Sequence, residues 1–306
     1  MNGNRYSIAL SGTILAVLVS VATIPAMASL SDNTSDTTKS ANEQTISDIQ
    51  HALDEQRYVD AGNLLNQALL GGVKDPKLDL LVGELSLARS NFSEALASFT
   101  TVEANPVVRA QALQGEGIVL SNLGRSNDAM VALKKAVAED PSLWRAWNAM
   151  GTEYDKQRDW PQAEAAYDHA LANSDSSAIA LNNRGFSLLL QKRLDEASAD
   201  FVAALQKKPD LAPARTNLRL VIAMKGDYQH AIAGGSQDGQ AALLNNAGVA
   251  AMVHGDYPQA EKLFGQAIQA KGEYYARAEA NLEITHTLEG RSDVSAGGGT
   301  HKTTAQ

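Results

Sequence analysis

The stretch that decides the fold is "AWNAMGTEYDKQRDWPQAEAAYDHAL", residues 146–171. Small residues recur in it at fixed distances from large ones. Count places from Trp144 as the first. The fourth, seventh, eighth and eleventh are then Trp147, Met150, Gly151 and Tyr154, and the twentieth, twenty-fourth and twenty-seventh are Ala163, Tyr167 and Ala170. Apolar residues spaced at three and four mark one face of a helix. Here two such runs are separated by "RDW", a turn too short to hold anything else. The segment therefore reads as two helices folded back on each other. Gly151 and Ala163 let the two axes approach, and the bulky fourth, eleventh and twenty-fourth residues fill the seams.

Steps of 34 residues recover the same pattern. Forward stand Leu181, Gly185, Leu188, Ala197, Phe201 and Ala204, with Pro209 ending the unit. Backward stand Leu113, Gly117, Leu120, Ala129, Leu133 and Ala136, with Pro141 at the end, and before them Gly83, Ala95 and Phe99, then Ala61, Leu65 and Ala68. Beyond Ala212 the unit weakens: Leu218, Ile222 and Ala231 fit, but Gly234 and Gly235 fall where the second helix should continue. A shortened step restores Leu244, Gly248, Ala260, Phe264 and Ala267, and "YYARAEANLEITHTL" closes the array. A break is expected near residues 234–240. Pro161 and Pro258 stand near the start of second helices, where a missing N–H costs nothing.

This 34-residue period resembles that of tetratricopeptide repeat (TPR) proteins. The expected fold is all-α: a superhelical solenoid of about seven helix-turn-helix repeats over residues 42–288 with a C-terminal capping helix. The resemblance implies that first helices line the concave side. It also implies that the second, fifth, ninth, twelfth and thirteenth places face the groove. On that mapping the partner-binding residues are Arg145, Asn148, Asn182, Phe186, Leu189, Leu190, Asn245, Val249 and Met252. The lining is polar near Trp144 and apolar from Phe186 to Val253, which suits an apolar peptide or partner helix with its backbone held by Asn side chains. The sixth place, Asn183, Asn217 and Asn246, is implied to be structural.

The ends read differently. "MNGNR", the uncharged "IALSGTILAVLVSVATI" and "PAMA" have the layout of a secretory signal peptide over residues 1–28, cleaved after Ala28. An uncleaved inner-membrane signal anchor is the alternative, because the apolar run approaches the length that spans a bilayer. Residues 29–41, rich in Ser, Thr and Asp, and residues 289–306 carry too little apolar surface to order themselves and are expected to be a disordered linker and tail. The chain is therefore expected to be exported and periplasmic.

Composition narrows the function. The net charge is −9 with both signs mixed, so no basic field draws in nucleic acid. There is no Cys among the 306 residues, which excludes disulfides, thiolate metal sites, a Cys nucleophile and a lipid anchor through an N-terminal Cys. The six His form no metal-ligand spacing, and "GEG" at 115–117 carries the packing Gly of a repeat, not a phosphate cradle. The expectation is a non-enzyme without cofactor or metal, whose partners are other proteins; the oligomeric state is open.

A closer resemblance lies in "RAWNAMGTEYDKQRDWPQAEAAYDHAL", "LNNRGFSLLLQKRLDEASADFVAAL" and "PARTNLRLVIAMKGDYQHAIA". In this order they are similar to the TadD family of tight-adherence (Flp) pilus assembly proteins, over about a third of the chain. Members of that family are commonly lipoproteins, and this chain lacks the Cys that would carry the lipid. The resemblance implies a scaffold in Flp pilus biogenesis and secretion, acting on the outer-membrane secretin or other pilus-assembly components. A periplasmic adaptor for another envelope complex, such as cell-wall machinery, is the alternative.

Overall fold

The computed structural model describes residues 35–172, 177–235, 237–271 and 275–297. The signal-peptide reading of residues 1–28 lies outside the described residues. So do residues 29–34 of the linker and 298–306 of the tail. Fifteen helices and no strand occur among the described residues. They are α1 (Ser35–Asp54), α2 (Tyr58–Leu70), α3 (Pro76–Ala88), α4 (Phe92–Val102), α5 (Arg109–Asn122), α6 (Ser126–Glu139), α7 (Trp144–Gln157) and α8 (Trp160–Ala172). There follow α9 (Ser177–Leu190), α10 (Leu194–Lys207), α11 (Ala212–Met224), α12 (Tyr228–Ile232), α13 (Gln237–Val253), α14 (Tyr257–Lys271) and α15 (Ala276–Gly297). That is seven helix pairs and one final helix, as the period predicts.

Each pair turns in the same way. The fifteenth place of every repeat lies in the left-handed region: Gln56, Ser90, Gly124, Arg158, Lys192, Gly226 and Gly255. The next residue returns its N–H to the carbonyl of the eleventh place, as in Asp159 to Tyr154 at 3.0 Å and Arg193 to Leu188 at 2.9 Å. This closure satisfies a carbonyl that the ending first helix would otherwise orphan. Glycine adopts the required φ without a Cβ penalty; four of the seven repeats do without it.

The pairs pack as the small-and-large alternation requires. A Cβ built on Gly151 would lie 2.6 Å from the Tyr167 ring, on Gly83 2.7 Å from Phe99, on Gly117 2.5 Å from Leu133, and on Gly248 2.7 Å from Phe264. Carbon atoms normally approach only to about 3.5 Å. Each large residue is fully buried, and burying a side chain of that size contributes about 1.5–3 kcal/mol. Phe99 reaches further: Gly115, in the next first helix, also lies under its ring, so one phenyl joins two repeats.

The chain divides into two compact units inside α9, between Ser187 and Leu188. In the first, α1, α3, α5 and α7 touch one another in sequence, while the second helices α2, α4 and α6 do not. First helices therefore lie on the inner side of the curve. Its core runs from Ile49 and Leu65 through Phe99 and Leu133 to Met150. In the second unit α11 packs on α13 and α13 on α15, around a core of Leu244, Leu263, Phe264 and Ala278.

Three boundaries differ from the sequence reading. Helix α1 begins at Ser35, inside the expected linker, and α15 runs to Gly297, into the expected tail. Once a buried turn anchors a helix, around Ile49 and Leu53 or around Asn281 and Thr285, each added residue gains a hydrogen bond at little cost. The break at 234–240 is also shorter than expected: α12 ends at Ile232 and Gln237–Gln240 form the first turn of α13. The carbonyls at the end of α12 are met by Arg219, 3.3 Å from Ala231 O, and Gln240, 3.4 Å from Ile232 O. On α15, Glu283 and His286 are exposed and Glu279 is half-buried.

Candidate functional site

The expected groove residues fall in both units and have different fates. In the first unit, Arg145 is buried and its Nη1 donates to both carboxylate oxygens of Glu84 in α3, at 3.0 and 3.2 Å. Asn148 is fully buried and its Oδ1 accepts from Nδ2 of Asn183 at 3.1 Å. Asn182 is buried beside it and donates to Asn183 Oδ1 at 3.1 Å. Phe186 is half-buried.

In the second unit fifth-place Asn245 accepts from Asn281 Nδ2 at 3.1 Å, an amide bond from one first helix to the next like that joining Asn148 to Asn183. Val249, Met252 and Leu189 are buried, whereas Leu190 is 48 % exposed. The fifth-place asparagines thus tie one first helix to the next. The buried polar atoms of a repeat array must find partners, and a neighbouring repeat supplies them at a fixed offset.

What stays open on the inner side of the second unit is the thirteenth place: Leu190 and Val253, 48 % and 44 % exposed, with half-buried Met224 between them in sequence. Leu220, Ile284 and Leu288 are half-buried on the same helical faces. The thirteenth places of the first four repeats are Asp54, Ala88, Asn122 and Lys156. Apolar lining is therefore a property of the second unit.

Two polar joints in the first unit are not visible from the repeat pattern. At the first, Ser121 Oγ donates to the buried Glu153, and Lys156 Nζ lies 2.5 Å from the same carboxylate and 3.3 Å from Ser121 Oγ. Burial pushes the Glu153 carboxyl up, but hydrogen bonds from Lys156, Ser121 and Ser126 outweigh it and hold the group below its ordinary range. At the second, Asp155 accepts from Tyr167 OH at 2.7 Å and Ser187 Oγ at 2.6 Å. There burial wins, and Asp155 lies above the usual carboxylate range. Glu84, Ser121 and Ser187 were missed because their partners stand one or two repeats away.

Other chemistry is sparse. A cavity of about 290 Å³ lies against α5 and α6, with Leu113, Leu120 and Val131 beside Glu103, Glu116 and Lys135. Burial, aided by the nearby Glu103, raises the Glu116 carboxyl. Among the described residues no group of His, Asp or Glu is arranged to hold a metal ion, and no helix is long and apolar enough to cross a membrane.

Comparison with known proteins agrees with this geometry. The family model for the tetratricopeptide repeat matches residues 148–212. A tetratricopeptide repeat protein from Parabacteroides merdae aligns over 81 % of this chain and 99 % of its own, with a TM-score of 0.50 and 18 % identity. The fold is the tetratricopeptide-repeat solenoid. The APC/C hetero-tetramer Cut9–Hcn1 aligns with a TM-score of 0.58 at 15 % identity, over 72 % of this chain and 45 % of that one. In sequence, this solenoid is 34 % identical over 100 residues to the type IV pilus assembly protein PilF of Pseudomonas aeruginosa, covering 32 % of this chain and 40 % of that protein. It is 30 % identical over 141 residues to a probable UDP-N-acetylglucosamine–peptide N-acetylglucosaminyltransferase, SPINDLY, of Hordeum vulgare, covering 44 % of this chain. The chain spans only 15 % of that transferase's length.

Proposed function

We propose that the solenoid is a non-catalytic scaffold that holds protein partners in the cell envelope during assembly of a pilus and its secretion machinery, of the Flp/tight-adherence kind. The observation that carries the reading is the row of thirteenth-place apolar residues, Leu190, Met224 and Val253, left accessible on the inner side of the second unit. Exposed apolar side chains repeated at one place, with no charge among them, suit an apolar segment of a partner. The pilus assignment is supported by similarity to PilF over 100 residues, and the export reading by the layout of residues 1–28. The periplasmic reading rests on that layout, and the reading of action on a secretin rests on the resemblance to the TadD family.

The test is photocrosslinking in cells from Leu190 and Val253, with Gln206, exposed on the second helix α10, as control. Capture of a secretin or another pilus-assembly component from the first two positions alone is the expected result. Capture of a cell-wall enzyme would replace the pilus reading with the adaptor reading, and equal capture from Gln206 would refute the inner face as the docking surface.

A further inference from the structure

The cavity against α5 and α6 lies off the inward-facing places of the repeat. Its lining on α5 is Leu113, Glu116 and Leu120, the fourth, seventh and eleventh places, and α6 adds Asp128, Val131 and Lys135. It sits at a joint between two repeats whose residues cannot fill a seam. The twenty-eighth place holds Leu69, Val137, Leu171, Leu205 and Ile268 in other repeats, but Glu103 here. Across the joint stands Glu116, where the next repeat has Met150. At that next joint Val137 and Met150 both lie in the apolar core. Carboxylates do not enter an apolar seam without partners; Glu103 and Glu116 stay half-buried and the seam stays open. Among the described residues neither carboxylate is bonded to a cation or accepts a hydrogen bond. The nearby cations are largely engaged: Asp128 holds Arg125 at 2.7 Å and Glu139 holds Arg109 at 2.8 Å. Exposed Lys135 is the remaining cation of the lining, against two carboxylates.

We propose that this cavity binds an alkylammonium chain, a partner's lysine side chain or a free aliphatic diamine, with its ammonium between Glu103 and Glu116 and its methylenes over Leu113, Leu120 and Val131. An ammonium is a compact charge with three N–H donors, enough to serve two carboxylates at once. It relieves the repulsion by which Glu103, together with burial, pushes the Glu116 carboxyl up. An aliphatic stem then covers the apolar lining while its charged head stays at the polar wall. At about 290 Å³ the cavity is at the small end of ligand pockets, about 300–1,000 Å³, which suits a chain of a few carbons. A guanidinium is favoured by aromatic faces, and no aromatic residue lines the cavity. A bare divalent cation takes six or more oxygen ligands and gains nothing from the leucines. Lys135, whose charge already favours ionised Glu116, acts as a competitor that the ligand has to outdo. The site is independent of the inner-face docking surface, because Leu190 and Val253 lie in the second unit.

The experiment is a calorimetric titration of the full chain in physiological salt with diaminopentane, acetyl-Gly-Lys-Gly amide and hexanoate, the last a body of similar size with the opposite charge. Diaminopentane is expected to bind and hexanoate is not. Binding of the lysine peptide as well assigns the site to a partner's side chain, and binding of diaminopentane alone assigns it to a free diamine. Glu116→Gln, which keeps the shape and removes the charge, should weaken amine binding about tenfold, the worth of one charge-assisted hydrogen bond, and Glu103→Gln should do the same. Lys135→Met removes the competing cation and should tighten amine binding several-fold. Weaker binding by Lys135→Met, or hexanoate binding as tightly as the amines, would show an anion site and overturn the proposal. Unchanged amine affinity in both glutamine variants overturns it too. If a variant fails to fold by circular dichroism, the backbone amide resonances of Glu116 and Leu120 in the unmutated protein decide: they shift on adding diaminopentane, or the proposal is wrong.

Discussion

Gly151 and Gly265 make a matched pair for testing why the repeat needs its eighth-place glycine. Both lie inside helices, α7 and α14, and in both an alanine would gain about 0.5–1 kcal/mol of helical preference over glycine. At Gly265 the added methyl meets nothing within 4 Å. At Gly151 it would stand 2.6 Å from Cε1 and 2.8 Å from Cζ of Tyr167, about 1 Å inside ordinary contact. The ring has no room to retreat: Tyr167 is fully buried and its hydroxyl is held by Asp155 at 2.7 Å. Overpacking of this kind costs about 1–3 kcal/mol, so Gly151→Ala should lose about 1–2 kcal/mol net while Gly265→Ala gains up to about 1 kcal/mol. Urea unfolding followed by far-UV circular dichroism reads both as opposite shifts of the midpoint. A Gly151→Ala protein as stable as the parent, alongside a stabilised Gly265→Ala, would refute the close-approach argument for all the repeats.

Three further outcomes are expected. Lys192→Gly relieves a side chain held at φ +62° and should add about 0.5–1 kcal/mol, whereas Gly226→Ala, at φ +89°, should lose about 1 kcal/mol; the same unfolding assay measures both. Asn183→Ala strips the acceptor bond from the buried Asn148 oxygen and should cost about 1–3 kcal/mol, while the double variant Asn148→Leu/Asn183→Leu should recover part of the loss in a double-mutant comparison. For acidity, the Glu153 carboxyl is lower in the folded protein than in the unfolded chain, so its stabilisation is present above its unfolded value and is lost as pH falls through the folded one. Asp155 is raised and acts oppositely, its ionisation opposing folding above its folded value. Melting temperatures measured from neutral pH down through the carboxylate range should fall less steeply for Glu153→Gln and more steeply for Asp155→Asn.

Much of the architecture was legible because helix packing obeys local rules. Gly83, Gly117, Gly151 and Gly248 each announce a large residue sixteen places on, and Phe99, Leu133, Tyr167 and Phe264 are found against them. The groove was legible only in part. Second-place Arg145 meets ninth-place Glu84, and fifth-place Asn148 meets sixth-place Asn183, each between first helices. Whether an inward residue is open to a guest depends on what faces it from other repeats, and a pattern read one repeat at a time carries no such information. Asn148 and Asn245 looked like peptide holders and are bonded to Asn183 and Asn281; Met252 looked like lining and is core.

The linear order of residues determined that this chain makes paired helices, where each pair turns, and that seven pairs precede a last helix among the described residues. Those outcomes depend on spacing within about one repeat, where neighbours in sequence are neighbours in space. Only the tertiary structure decided which inner side chains are spent on holding the solenoid together and which remain accessible. That division is set by how closely successive first helices curve toward one another: close enough in the first unit for Glu84 to reach Arg145 over an intervening repeat, with apolar Leu190 and Val253 left exposed in the second.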